Sequence, residues 1–102
     1  AIEGRVVSTA TLHILPNLTY SGRPYCLIEN VVTLAAFQRR GLGRLVMQAA
    51  MDHAWAAEAY KIMLLTGSDT GARGFYKKLG FRGDQKVGMV IRQVPTREPV
   101  QV

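Results

Sequence analysis

Seven residues, Gln38-Arg39-Arg40-Gly41-Leu42-Gly43-Arg44, restrict the fold of this chain more than any other stretch. Before them, residues 25–34 are apolar on both faces and read as a central strand, interrupted only by Glu29 and Asn30. After them, Leu42, Leu45, Val46, Ala49, Ala50, His53 and Ala57 place one apolar stripe on a helix over about residues 40–59. Two glycines at this junction let the backbone approach a ligand closely. The first-turn amides of a helix have no acceptors within it, so they present donors at its positive end. An anion is the natural occupant, and Arg39, Arg40 and Arg44 add full charges around the same point. A Rossmann fingerprint would need glycine where Val46 stands, and a Walker loop would need Gly-Lys followed by Ser or Thr; neither is present. The alternative is a glycine pair leading into an ordinary amphipathic helix.

The rest of the chain reads as short α/β elements. Residues 5–15 are rich in β-branched side chains and predict a strand, with Gly4 turning a hairpin from a shorter strand at residues 1–3. Residues 16–24 hold the prolines, Asn17 and Gly22 of a loop. Residues 62–66 read as a buried strand. Ser68 or Asp69 then caps a second helix with the apolar face Ala72, Phe75, Tyr76 and Leu79, and Gly80 ends it. Beyond a Gly83-Asp84 turn, Val87, Met89 and Ile91 alternate as a last strand, and residues 95–102 form a tail apart from a domain over 1–94. The order of elements predicts an α/β fold, with a parallel crossover around the long helix.

Composition narrows the function classes. At 102 residues, 48% of them hydrophobic, the chain is one globular domain. No apolar run approaches the ~20 residues that cross a bilayer, and the expectation is a cytoplasmic protein with no membrane partner. The one cysteine, Cys26, has no second thiol to pair with and lies in a strand pattern as a buried structural thiol. His13 and His53 do not form a zinc-ligand spacing, so no metal is expected; His53 is placed on the core stripe of the long helix and His13 is likewise read as structural. A net charge of +6 suits an anionic ligand. Nucleic acid is disfavoured because the basic residues gather at a helix start, not along a stripe with exposed aromatics.

Gln38-Arg39-Arg40-Gly41-Leu42-Gly43 resembles the Q/R-x-x-G-x-G/A signature of the GNAT superfamily of acyl-CoA N-acyltransferases. A second stretch, Phe75-Tyr76-Lys77-Lys78-Leu79-Gly80-Phe81, resembles that family's F-Y-x-x-x-G-F, with Ala72 at its small upstream position. The resemblance covers residues 1–93. It implies a mixed, mostly antiparallel central sheet with flanking helices, lacking the first strand and first two helices usual in the family. Two departures stand out: Asp69 where the family commonly has Asn, and Ala35 in place of a frequent proline.

The resemblance further implies acetyl-CoA as co-substrate and direct attack of an acceptor amine on the thioester in a ternary complex. Main-chain groups of Val31, Val32 and Thr33 would pair with the pantetheine arm, and backbone from Gln38 through Arg39, Arg40, Gly41, Leu42 and Gly43 to Arg44 would hold the pyrophosphate. Tyr76 is the candidate general acid toward the leaving thiolate, although its place on an apolar helix face also suits plain core packing. Glu29 is the candidate base. A carboxylate in a strand apolar on both sides is costly unless it is paired or faces a wet cleft, and a buried ion pair with Arg5 or Arg92 is the competing role. Short stretches such as Ile28-Glu29-Asn30-Val31 and Tyr60-Lys61-Ile62 are similar to glucosamine-phosphate N-acetyltransferases, which points to a small-molecule amine as acceptor. Acetylation of a protein or peptide, a non-catalytic CoA-binding module and a homodimer remain open.

Overall fold

The computed structural model describes residues 4–67 and 72–95. Two long strands, β1 (Ser8–Leu15) and β2 (Tyr25–Thr33), form an antiparallel hairpin whose connection includes a 3-10 turn at Tyr20–Gly22. A second 3-10 turn, Ala35–Phe37, leads into helix α1 (Leu42–Ala56). Strand β3 (Ile62–Met63) returns parallel to β2, and helix α2 (Arg73–Lys78) follows. Sheet order is β1-β2-β3, so the parallel crossover expected around the long helix is present and the sheet is mixed.

Both helices pack on one face of the sheet. Ile28, Met47 and Tyr76 form one buried cluster, with Ala10, Leu12, Phe75, Leu79 and Phe81 packed against it. Cys26, Ala54 and Ala59 form a second, joined to the first through Leu12 and Ile62. Burial pushes the Cys26 thiol above its usual pKa, as suits an inert packing residue. Side chains alternate between the faces of a strand, so Glu29 and His13 lie on the opposite face, where both are exposed.

A β-bulge in β2 interrupts that alternation. Thr9 pairs with Val32 and Thr11 with Glu29, so Asn30 and Val31 together oppose Ala10. Asn30 takes the left-handed conformation, with φ 54°. The extra residue shifts the parity of β2: Cys26 and Ile28 face the helices before it, Val31 and Thr33 after it.

Several expectations require correction. The apolar stripe of α1 is rotated from the predicted one: Gly43, Met47 and Ala54 are buried, whereas Leu45 is 66% exposed and His53 is exposed at the last turn. The helix carries apolar residues on more than one side, and the face that includes Gly43 is the one packed on the sheet. His53 is therefore not a core residue; its carbonyl accepts the Ala57 amide at the helix end. Strand pairing near residue 62 covers Ile62–Met63 only, not 62–66. No strand forms at residues 87–92, where Met89 and Ile91 are 89% and 99% exposed. Alternation gives a strand only where a neighbouring edge takes up its backbone hydrogen bonds. Here Gly88 instead lies so close to Leu65 that a Cβ would collide with Leu65 Cδ2. The shorter strand at 1–3, the cap at Ser68 or Asp69 and most of the tail fall outside the described residues.

Candidate functional site

The end of β2 and the start of α1 build a cradle whose parts are fastened from behind. Thr33 is buried, and its hydroxyl shares a 2.8 Å hydrogen bond with that of Ser8 on β1. The Leu34 amide donates to the Val7 carbonyl at 2.8 Å, and the Phe37 amide closes a turn on the Leu34 carbonyl at the same distance. Gln38 reaches back to donate from Nε2 to the Thr33 carbonyl at 3.0 Å. Its side chain thus ties the loop to the strand.

Gly41 sits at the N-cap of α1 with φ 77°, a conformation that penalises other residues. No side chain caps the helix and no acidic residue occupies its first turn; the first intrahelical bond runs from the Leu45 amide to the Gly41 carbonyl at 3.1 Å. The amides of Leu42, Gly43 and Arg44 therefore lie ahead of the helical ladder. A Cβ placed on Gly41 meets no protein atom within 4 Å, so the mouth has room for a ligand. Arg39, Arg40 and Arg44 are exposed around it, and Arg39 also adopts a positive φ of 64°.

β2 continues beyond its parallel neighbour. Pairing with β3 covers Cys26↔Ile62 and Leu27↔Met63, after which β2 runs on to Thr33 with no strand on that edge among the described residues. The main chain of Val31, Val32 and Thr33 lies along this stretch and leads directly to the loop at Gln38. The sequence thus brings the two backbone segments expected to hold an acyl carrier into one continuous line.

Tyr76 and Glu29 approach from opposite faces of the sheet. Tyr76 is 8% exposed, packed on Ile28 and Met47, with edge-on ring contacts to Phe75 at 5.1 Å and Phe81 at 6.2 Å. Burial pushes its phenol above the usual range, so it stays protonated at neutral pH. The helix that carries it ends as expected at Gly80, φ 102°, where the Phe81 amide donates back to the Tyr76 carbonyl at 3.1 Å. Glu29 is not buried, and neither Arg5 nor Arg92 pairs with it; its Oε2 lies 3.7 Å from His13 Nε2 on the neighbouring strand. The bulge immediately after Glu29 puts this carboxylate where β2 bends, in contact with water. Sequence reasoning missed the association of His13 with Glu29, although alternation along two paired strands carries its signal.

A cavity of about 750 Å³ includes Tyr76 in its wall, along with apolar residues such as Ile62, Leu64 and Phe81. Residues 38–44 do not line it. Lys61, Arg73, Lys77, Arg82 and Lys86 do, and of these only Arg82 makes an ion pair among the described residues, with Asp84 at 3.0 Å. No group of three metal-ligating side chains occurs among the described residues, and no helix there is long and apolar enough to cross a membrane.

A parallel crossover that opens with a glycine-led helix mouth, beside a strand edge left open, is the α/β arrangement these residues build. Comparison with known proteins makes the class definite: the Acetyltransferase (GNAT) family matches residues 1–81, and the chain belongs to that family. A glucosamine 6-phosphate N-acetyltransferase of Trypanosoma brucei brucei is 34% identical over 83 residues, covering 81% of this chain and 55% of that protein. Among solved structures, a candidate acetyltransferase of Agrobacterium tumefaciens str. C58 is 50% identical with a TM-score of 0.86, over 91% of this chain and 65% of the other. A Trypanosoma brucei acetyltransferase is 30% identical with a TM-score of 0.77, over 89% and 63%. The chain thus spans between about half and two thirds of the length of these relatives.

Proposed function

We propose that this protein is an acetyl-CoA-dependent N-acetyltransferase that acts on the primary amine of a small molecule, an amino sugar phosphate fitting best. The observation that carries this reading is the open edge of β2, which runs past its last β3 partner straight into the glycine-led mouth of α1. An extended acyl carrier can add itself to that edge through main-chain hydrogen bonds, leaving its diphosphate at the helix N-terminus. Acetyl-CoA supplies the activated thioester. Val31, Val32 and Thr33 hold and orient the carrier arm, and a main-chain amide of this stretch polarises the thioester carbonyl. The amides from Gly41 to Arg44 hold the diphosphate, while Gln38 acts behind them by fixing the loop to Thr33.

Glu29 receives the proton released by the acceptor amine, directly or through water, consistent with its exposed position at the bulge. Tyr76 donates toward the departing sulfur; its raised pKa keeps the proton in place until charge develops there. A phosphorylated acceptor is favoured by Arg73, Lys77 and Lys86, which line the cavity with Tyr76 and make no ion pair among the described residues, and the resemblance to a glucosamine 6-phosphate N-acetyltransferase supports the same class.

The test is thiol release from acetyl-CoA by the full-length protein with glucosamine 6-phosphate, unphosphorylated amino sugars, polyamines, amino acids and peptides. Turnover with the phosphorylated amino sugar well above the others is expected. Exclusive use of peptides would replace the acceptor class, and binding of acetyl-CoA without turnover of any amine would leave a carrier-binding module only.

A further inference from the structure

Among the described residues the one ion pair of Glu29 joins its Oε2 to His13 Nε2 at 3.7 Å. The strand register makes this contact diagonal. Glu29 stands opposite Thr11 and His13 opposite Leu27, so the two side chains share a sheet face two positions apart, within reach of long side chains. Both are about half exposed, His13 at 45% and Glu29 at 54%, so the pair meets water directly. Thr9, Thr11 and Leu15 of β1 and Leu27 of β2 share the face and carry no charge. Tyr25 lies at the other end of β2, where Lys61 is engaged with aromatic rings: its Nζ is 5.6 Å from the centre of Tyr25 and 5.4 Å from that of Tyr60. His13 is thus the basic group placed to exchange a proton with Glu29.

An exposed ion pair adds little to stability, and 3.7 Å is longer than a direct hydrogen bond. Contacts of this length between an acid and a base close in the substrate complex or are bridged by one water. The chemistry gives the pair a direction. General-base catalysis is most efficient when the pKa of the base lies near the working pH. An exposed carboxylate ordinarily titrates about two pKa units below an imidazole, which titrates close to neutrality. A carboxylate that hands its proton to an imidazole in the same step therefore works with the proton affinity of the imidazole.

We propose that His13 is a positioning residue that acts through Glu29, receiving at Nε2 the proton that Glu29 takes from the acceptor amine. This rests on the reading of Glu29 as the general base. The step balances within the pair. As the amine nitrogen bonds to the thioester carbon, one of its N–H bonds breaks and the proton goes to the Glu29 carboxylate. That proton moves on to the neutral imidazole, which carries its own proton on Nδ1, and the carboxylate is restored. The exposed imidazolium then releases one proton to water, while the departing thiolate takes its proton from Tyr76, which water recharges.

Thiol release from acetyl-CoA by the full-length protein, with glucosamine 6-phosphate as the amine, tests this on the wild type, His13→Ala, His13→Gln and Glu29→Gln. Both His13 variants are expected to lose at least about tenfold in kcat near neutral pH, with KM for both substrates within about twofold of the wild type. The acid limb of the kcat profile, which reports groups in the substrate complex, should move by more than about one pH unit from the imidazole range toward the carboxylate range. Added imidazole should restore His13→Ala in proportion to its free-base concentration and leave the wild type unchanged. Values of kcat within about twofold of the wild type in both His13 variants, or a loss with neither a moved limb nor rescue by imidazole, overturn the role of His13. A large loss in Glu29→Gln then keeps Glu29 as the base. Turnover by Glu29→Gln within about twofold of the wild type overturns the base and the role of His13 together, as does absence of turnover by the wild type.

Discussion

Replacing Tyr76 by Phe separates chemistry from packing at the one residue where the two roles overlap. The substitution keeps the ring, and with it the contacts to Ile28, Met47, Phe75 and Phe81. Only the hydroxyl is removed, so the stability cost is that of one hydrogen bond at most, about 0.5–1.5 kcal/mol. Loss of a general acid is larger: turnover should fall by about 10²- to 10⁴-fold, which is roughly 3–5 kcal/mol of barrier. CoA affinity should stay within about twofold, since no cradle contact changes. Stopped-flow detection of free thiol gives the rate, and urea unfolding gives the stability. Turnover within about twofold of the wild type would reduce Tyr76 to a core residue. The pH dependence supplies an independent check. Burial raises the phenol pKa in the folded state, so the unfolded chain loses this proton first as pH rises. The stabilisation is complete below the ordinary phenol value of about 10 and declines above it. Wild-type stability should therefore fall more steeply than that of Tyr76→Phe above about pH 10; parallel curves would refute the buried, protonated phenol.

Other predictions address the cradle and the core. Gly41→Asn and Gly41→Asp share one shape and differ in charge, and Asn tolerates the positive φ at this position. A carboxylate about 5 Å from a diphosphate costs roughly 2–6 kcal/mol at effective dielectrics of about 80 to 20; CoA affinity by calorimetry should fall at least twentyfold further in the Asp variant, and equal affinities would remove the diphosphate from the mouth. Met47→Ala empties the centre of the main cluster, where Met47 is 0% exposed, and should destabilise by about 2–5 kcal/mol in urea unfolding; a loss below about 1 kcal/mol would contradict that packing. Asn30→Gly should leave stability nearly unchanged, whereas Asn30→Val, β-branched at φ 54°, should cost about 1–3 kcal/mol and weaken CoA binding. Equal stability of the two variants would argue against the bulge.

The parts of this fold that were legible in the sequence are those fixed by local chemistry. The glycine-led junction after an apolar strand announced the start of α1, because the positive φ that Gly41 takes at the N-cap is local information. The helix stop at Gly80 was legible for the same reason: a left-handed residue after Leu79 is local information. What escaped depends on partners. The stripe of α1 was misplaced because Leu45 and Met47 are equally apolar, and only the approach of the sheet at Gly43 decides which is buried. Alternation at Val87, Met89 and Ile91 suggested a strand, but a strand needs an edge to pair with.

Glu29 shows most clearly how one unread residue alters an argument about its neighbour. Read as a member of an apolar strand, its carboxylate requires a buried cation, and Arg5 and Arg92 are the candidates. Alternation removes that requirement: with Ile28 turned to the helices, Glu29 lies on the opposite face, exposed near His13, and the left-handed bulge at Asn30 then turns Val31 back to the helices. Arg5 is then released from any duty toward Glu29 and stands instead 5.9 Å from the centre of the Phe37 ring, in the turn that leads into α1. The same bulge lies past the last β2–β3 pair, where β2 stays paired with β1 but has no strand on its other edge among the described residues. An exposed carboxylate, an open strand edge and a charged helix mouth thus follow one another along β2, which under the proposed function is the order in which an acceptor amine, an acyl carrier arm and a diphosphate would meet them.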